Sequence, residues 1–287
     1  MVNYFSCPTK ERKSMKTVKE NVIEVFDNIA SKGSWEELYS GHIDRVTYNF
    51  ISRQRTVEQL LEPVINGQVL DVGCGTGDLA PFVIRKNAAY TGVDLSAKMI
   101  ERAIINYDTI IKSGKATFQI ADCEYLPFPS KKFDIVTAVA LLEYLPDPIQ
   151  FLHEVQKVIR PGGYFLLTVP YKNCINLKIK KLLSPLIKTL FPIYARLKVR
   201  PLLPTKNLQH FTYSEKELDE TVAICDFQRV SYCYSNFHII IHPFDHLLPG
   251  LYMRTSERID RKGLGESYKR WASNYIALFR KGTQTNE

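Results

Sequence analysis

The sequence predicts an α/β protein built on a doubly wound, mainly parallel sheet. Three observations carry that prediction. Val69-Leu70-Asp71-Val72-Gly73-Cys74-Gly75-Thr76-Gly77 is an apolar burst closed by an aspartate and three glycines at alternate positions, and Ala80-Pro81-Phe82-Val83-Ile84 then reads as the start of a helix. Apolar runs alternate with helical stretches from Val69 to about Val169, the pattern of parallel strands joined by crossover helices. Two further apolar runs end in acids, at Asp94 and Asp122, as strands feeding a shared ligand site would.

Taken in chain order, residues 1–20 read as a polar lead-in. Val22, Ile23, Val25, Phe26 and Ile29 then recur at helical spacing, as do Phe50, Val57, Leu60, Leu61 and Val64, so residues 1–65 form a helical N-terminal cap or lid. Residues 66–287 form the sheet domain. Val69–Val72 is its first strand and Tyr90–Asp94 its second. Ala97 to about Ile111 is a crossover helix capped by Ser96. Thr117–Cys123 and Phe133–Val139 are the third and fourth strands, Pro148–Ile159 a helix ended by Pro161-Gly162-Gly163, and Tyr164–Leu167 the fifth strand. Residues 171–206, broken by prolines, read as an insertion. Ser214 and Glu217 then have capping-box spacing, Asp226–Tyr232 is a strand, and a second insertion (about 236–270) precedes a last strand over Asn274–Phe279.

The 287 residues suffice for a sizeable core, and 45% hydrophobic with 24% charged residues is the balance of a globular protein. Six cysteines show no C-x-x-C pair and no metal-ligand spacing, so no metal is expected and a reducing, cytoplasmic setting is the simplest reading. No apolar run approaches the roughly 20 residues of a membrane span. The net charge of +8 is local: nine Lys and Arg fall within 171–206 with no acid among them, leaving the rest of the chain near neutral. With Leu182, Leu183, Leu186, Ile187, Leu190 and Phe191 interleaved, that stretch suits an anionic membrane surface, or a lid with solvated lysines. Nucleic acid fits it less well, because the apolar content is high.

The glycine run is G-x-G-x-G. A dinucleotide fingerprint needs glycine at its sixth position, where this chain has Asp78. With Asp94, Asp122, the Phe133–Val139 strand and the Arg160-Pro161-Gly162-Gly163 turn following in order, residues 68–170 resemble class I S-adenosylmethionine-dependent methyltransferases, most closely their UbiE-like branch. The resemblance implies a Rossmann-like seven-stranded sheet, and the proline-broken residues 171–206 read as an insertion after its fifth strand. It also implies S-adenosylmethionine as cofactor. Gly73, Gly75 and Gly77 would admit its methionine moiety and ribose, with Asp71 near the ammonium, Asp94 on the ribose hydroxyls and Asp122 on the adenine amine. Cys74, Leu95, Met99 and Cys123 complete the expected cofactor wall. Two other readings are an NAD-dependent oxidoreductase, against which Asp78 argues, and a catalytically silent cofactor binder, against which the intact acidic trio argues.

The acceptor side is sparser. Methyl transfer from a sulfonium needs mainly positioning, and a base only where the acceptor must lose a proton. Glu143, just after the fourth strand, is the leading candidate to orient the acceptor or exchange its proton; it could equally be a solvated carboxylate at a helix start. Phe26-Asp27-Asn28, Trp35-x-x-Leu38-Tyr39, Arg53 and Thr56-Val57 resemble the N-terminal region of magnesium-protoporphyrin O-methyltransferases. By that resemblance Tyr39 matches an active-site tyrosine, whereas Glu143 stands where that family has a histidine. Trp35 and Tyr39 would otherwise simply pack a lid. His42 and Arg53 rank lower, as contacts for substrate or for the cofactor carboxylate. The acceptor is read as a small molecule or a lipid-like one.

Overall fold

The computed structural model describes residues 9–32, 35, 45–179, 182, 208–240 and 248–283. Tyr39, His42, most of the basic stretch and part of the second insertion lie outside the described residues. The chain begins with two helices, α1 (Thr9–Ser31) and α2 (Arg45–Leu61). β1 (Gln68–Val72), α3 (Ala80–Arg85), β2 (Ala89–Asp94), α4 (Ala97–Asn106), α5 (Asp108–Lys112) and β3 (Ala116–Ile120) follow. β4 (Phe133–Ala138), a 3-10 turn (Leu142–Tyr144), α6 (Ile149–Val158) and β5 (Ile159–Pro170) complete the first half of the fold. The C-terminal part adds α7 (Glu215–Ala223), β6 (Phe227–Phe237), α8 (Pro249–Arg261) and β7 (Ala272–Lys281).

All seven strands form one sheet in the order β3-β2-β1-β4-β5-β7-β6. β1 to β5 are mutually parallel, and β7 runs antiparallel between β5 and β6. The expected α/β fold with a seven-stranded doubly wound sheet is therefore present. Its strands read as near-continuous apolar runs because both faces are covered. Alternate residues of β7 show this: Tyr275, Ala277 and Phe279 face one core with Phe151, Val155 and Leu218, while Ile276 and Leu278 face the other with Val57, Leu61 and Phe82. α2 thus packs straight onto the sheet, whereas α1 rests on α4 through Ile29, Ala30 and Met99.

Several local expectations change. α1 starts at Thr9, inside the segment read as a polar lead-in; its lysines and glutamates are good helix formers once the apolar face docks. The crossover helix expected over 97–111 is broken at Tyr107, whose backbone leaves helical angles (φ −120°, ψ 24°) while its ring stacks on Phe118 at 5.9 Å. β3 ends at Ile120, two residues before Asp122. Pro161-Gly162-Gly163 lies within β5 as an irregularity: Phe133 pairs with Ile159, and Ile135 with Tyr164. β6 runs on to Phe237, into the expected second insertion. The Ser214–Glu217 capping box forms with both reciprocal bonds. Asp226, before β6, takes the left-handed φ of +59°, a conformation that aspartate tolerates better than most residues.

Candidate active site

The carboxyl ends of β1 and β4 diverge where the strand order reverses, because β2 follows β1 outward on one side while β4 leads to the other. Such a crevice is where an open α/β sheet binds its ligand. A cavity of about 650 Å³ opens there, within the usual size of a small-molecule site. Its wall includes Asp71, Gly73, Cys74, Gly75, Asp94, Leu95, Met99, Asp122, Cys123 and Glu143. Of the described residues singled out in the sequence for cofactor or catalysis, only Gly77 is off this wall.

The glycine turn is shaped by its neighbours. Gly73 and Cys74 both donate their N–H to the carbonyl of Val93, which ties the turn to β2. Gly73, Gly75 and Gly77 have φ of +73°, +54° and +83°. A Cβ on Gly73 would come within 3.1 Å of Leu141, and one on Gly75 within 3.7 Å of the Trp35 ring. Side chains there would fill the floor of the cavity, so the turn fits a cofactor that needs close backbone approach. Gly77 serves packing instead: a Cβ would lie 2.6 Å from Phe118. Asp78, which replaces the fingerprint glycine, accepts from Trp35 Nε1 at 2.9 Å and so helps hold that ring over the turn. Phe26 and Phe50 meet Trp35 edge to face, completing an aromatic roof.

Each acid is held differently. Asp71 accepts from Tyr90 Oη and Thr137 Oγ1, both at 2.7 Å, yet burial pushes its pKa up to about 6. Asp94 accepts from the backbone N–H of Gly75 at 2.9 Å and of Ser96 at 2.8 Å. Burial raises its pKa, against the pull of those amides. Ser96 caps α4 by accepting from Met99 N, which fixes Leu95 and Met99 on the wall. Asp122 accepts from the Glu124 N–H and, at 2.7 Å, from Lys19 Nζ, which also reaches Glu124 at 2.5 Å. Burial raises the thiol pKa of both Cys74 and Cys123, so they stay neutral wall residues.

Apart from Arg53, the remaining wall was not read from the sequence. Lys19 shares one helical face with Val22 and Phe26, a spacing that could have revealed it. Arg53 lies over the Phe50 ring, 5.1 Å from its centroid. Asn49, Asn236 and Asn274 come from α2, β6 and β7: Asn49 Oδ1 accepts from Asn236 Nδ2 at 2.7 Å and Asn274 Nδ2 at 2.9 Å. His210 approaches Glu143, Nδ1 to Oε1 3.7 Å. These residues are far apart in sequence and carry no shared spacing. Ala140 is also on the wall, at a left-handed φ of +55°, with its N–H held by Thr168 Oγ1 at 2.8 Å. Among the described residues no cluster of His, Cys, Asp and Glu is placed to hold a metal ion, and no helix is long and apolar enough to cross a membrane.

Comparison with known proteins supplies the family. Residues 70–167 match the family described as "Methyltransferase domain". The chain is 29% identical over 193 residues to the ubiquinone/menaquinone biosynthesis C-methyltransferase UbiE of Geotalea daltonii, covering 63% of this chain and 79% of that protein. It is 31% identical over 131 residues to a ubiquinone biosynthesis O-methyltransferase of Coxiella burnetii, covering 46% of this chain and 52% of the relative, so it spans about half of that protein's length. Its fold aligns with magnesium protoporphyrin IX methyltransferase of Synechocystis PCC 6803, solved with bound S-adenosylhomocysteine. The TM-score is 0.64 at 16% identity, covering 92% of this chain and all of that one. Residues 70–167 thus form a methyltransferase domain with S-adenosylmethionine as its cofactor, in the fold of magnesium protoporphyrin IX methyltransferase.

Proposed function

We propose that the protein methylates a small-molecule or lipid-like acceptor seated in the same cavity as the cofactor. One observation carries this reading. One cavity is lined both by Asp71, Asp94 and Asp122 and by the apolar or aromatic Phe26, Phe50, Leu141, Tyr144, Leu145 and Leu177. Bound S-adenosylmethionine supplies an electrophilic methyl group on a sulfonium sulfur. The residues then have to hold the acceptor in line and keep water out, and such positioning is worth roughly 7–11 kcal/mol in favourable cases. In this reading Asp71 receives the methionine ammonium, Asp94 the ribose hydroxyls and Asp122 the adenine amine. Glu143, only 8% exposed on the 3-10 turn after β4, orients the acceptor or exchanges its proton.

The relatives named for ubiquinone and menaquinone biosynthesis support a ring-bearing, lipid-like acceptor, as does the aromatic roof. The lysine-rich stretch after β5 would bring the protein to an anionic membrane where such acceptors dissolve. Flotation with phosphatidylglycerol vesicles, lost at high salt, tests that contact. For the reaction itself, the test is transfer of tritiated methyl from S-adenosylmethionine to a prenylated hydroquinone or to sarcosine. Label in the hydroquinone supports the lipid-like acceptor, label only in sarcosine a small polar one, and label in neither counts against the reading.

A further inference from the structure

The segment before α7 brings His210 to the wall of the cavity. His210 Nδ1 stands 3.7 Å from Glu143 Oε1, and its ring lies 5.0 Å from that of Tyr144. The two segments are fastened by backbone: Phe211 N–H donates to the carbonyl of Glu143 at 2.9 Å, which keeps the backbones that carry the imidazole and the carboxylate side by side. All three side chains line the cavity. Glu143 is nearly enclosed, whereas His210 is about a third exposed and lies on the open side of the pair.

We propose that His210 and Glu143 form an imidazole–carboxylate pair that removes the proton of an ionisable hydroxyl, so that the methyl acceptor is a phenol or an enol. The inference rests on the methyl-transfer reading above and deepens it. A carboxylate facing Nδ1 selects the tautomer with hydrogen on Nδ1 and leaves Nε2 as the basic nitrogen. It also stabilises the imidazolium that forms. The Nδ1–Oε1 gap is longer than a hydrogen bond, as such pairs often are before substrate arrives. Tyr144 does not compete as base: burial, then the Glu143 charge, push its phenol far upward, against a smaller opposing pull from Arg53. A carboxylate acceptor would need no base at all, and an acceptor amine carries no acidic hydroxyl for this pair to ionise.

The balance is simple. The acceptor O–H bond breaks and its proton passes to His210 Nε2. The freed electron pair attacks the methyl carbon from oxygen, or from the conjugated ring carbon, while the S–CH3 pair returns to sulfur. The imidazolium then yields its proton to water.

The test uses 4-nitrocatechol, whose absorption reports its ionisation, bound to the full chain saturated with S-adenosylhomocysteine at a pH below the free ligand's own ionisation. The wild-type complex is expected to show the phenolate band. His210→Asn and His210→Phe are expected to lose it and to bind at least about tenfold more weakly, with S-adenosylhomocysteine affinity and melting temperature unchanged. Glu143→Gln is expected to weaken the band. With a phenolic substrate, kcat of His210→Asn should fall about 10²–10⁴-fold. A protonated spectrum, no binding to the wild type, or a band that survives both His210 variants overturns the proposal. Failure of S-adenosylhomocysteine to bind at all would instead strike the methyl-transfer reading beneath it.

Discussion

Lys19 of α1 reaches across the cavity mouth to Asp122, Nζ to Oδ2 2.7 Å, so the acid assigned to the adenine amine already carries a cation supplied by the chain itself. Burial opposes the ammonium charge, but Asp122 and Glu124 more than offset it and its pKa is raised. An adenine amine arriving at Asp122 must displace this contact. Lys19→Met is therefore expected to tighten S-adenosylhomocysteine binding by up to about fivefold, the range of about 1 kcal/mol that a partly exposed ion pair represents. Calorimetric titration at low and high salt checks it, with the difference shrinking as salt rises. Weaker binding would mean that Lys19 stays on Asp122 beside the ligand.

The glycines of the turn should separate by role. Gly77→Ala places a Cβ against Phe118 at a left-handed backbone angle, and a loss of about 2–4 kcal/mol of stability is expected in chemical denaturation. Gly75→Ala meets Trp35 at ordinary contact distance, so it should cost only about 1 kcal/mol of stability while sharply weakening cofactor binding.

Asp71 gives a pH dependence whose sign follows from its raised pKa. The folded protein holds this proton up to about pH 6, the unfolded chain only to about 3.8, the ordinary value of an aspartate. The native state therefore binds more protons in that window, and the Asp71 contribution to stability falls as pH rises through it. Cofactor affinity should move the other way. A methionine ammonium needs the anion, so binding should tighten up to about tenfold per pH unit towards about 6 and level off above it. Calorimetry from about pH 5 to about pH 7.5 reads this directly, and Asp71→Asn should bind weakly with a flat profile.

Much of the donor half was legible in the chain because it is local. A strand, a glycine turn and a helix lie within a few residues of each other, and Asp94 and Asp122 sit at or just beyond the ends of strands whose apolar runs are plain. The capping box at Ser214 was legible for the same reason. Beyond Glu143 and Arg53, the rest of the wall was not. Asn49, Asn236 and Asn274 meet only because β6 and β7 fold back beside α2, and His210 meets Glu143 through a single backbone hydrogen bond between distant segments. Lys19 had a readable helical spacing with Val22 and Phe26, but it falls in a basic segment that looks solvated until α1 docks. The break at Tyr107 was invisible because it depends on stacking against Phe118 of another element.

The most direct measurement is titration of S-adenosylhomocysteine into the wild-type protein and into Asp94→Ala, with NAD as the competing ligand. The account predicts one-to-one micromolar binding to the wild type and no detectable binding of NAD. Asp94→Ala should bind at least about a hundredfold more weakly while still melting cooperatively, since the ribose loses its charged acceptor. Wild-type affinity in Asp94→Ala, or NAD bound in place of S-adenosylhomocysteine, would contradict it.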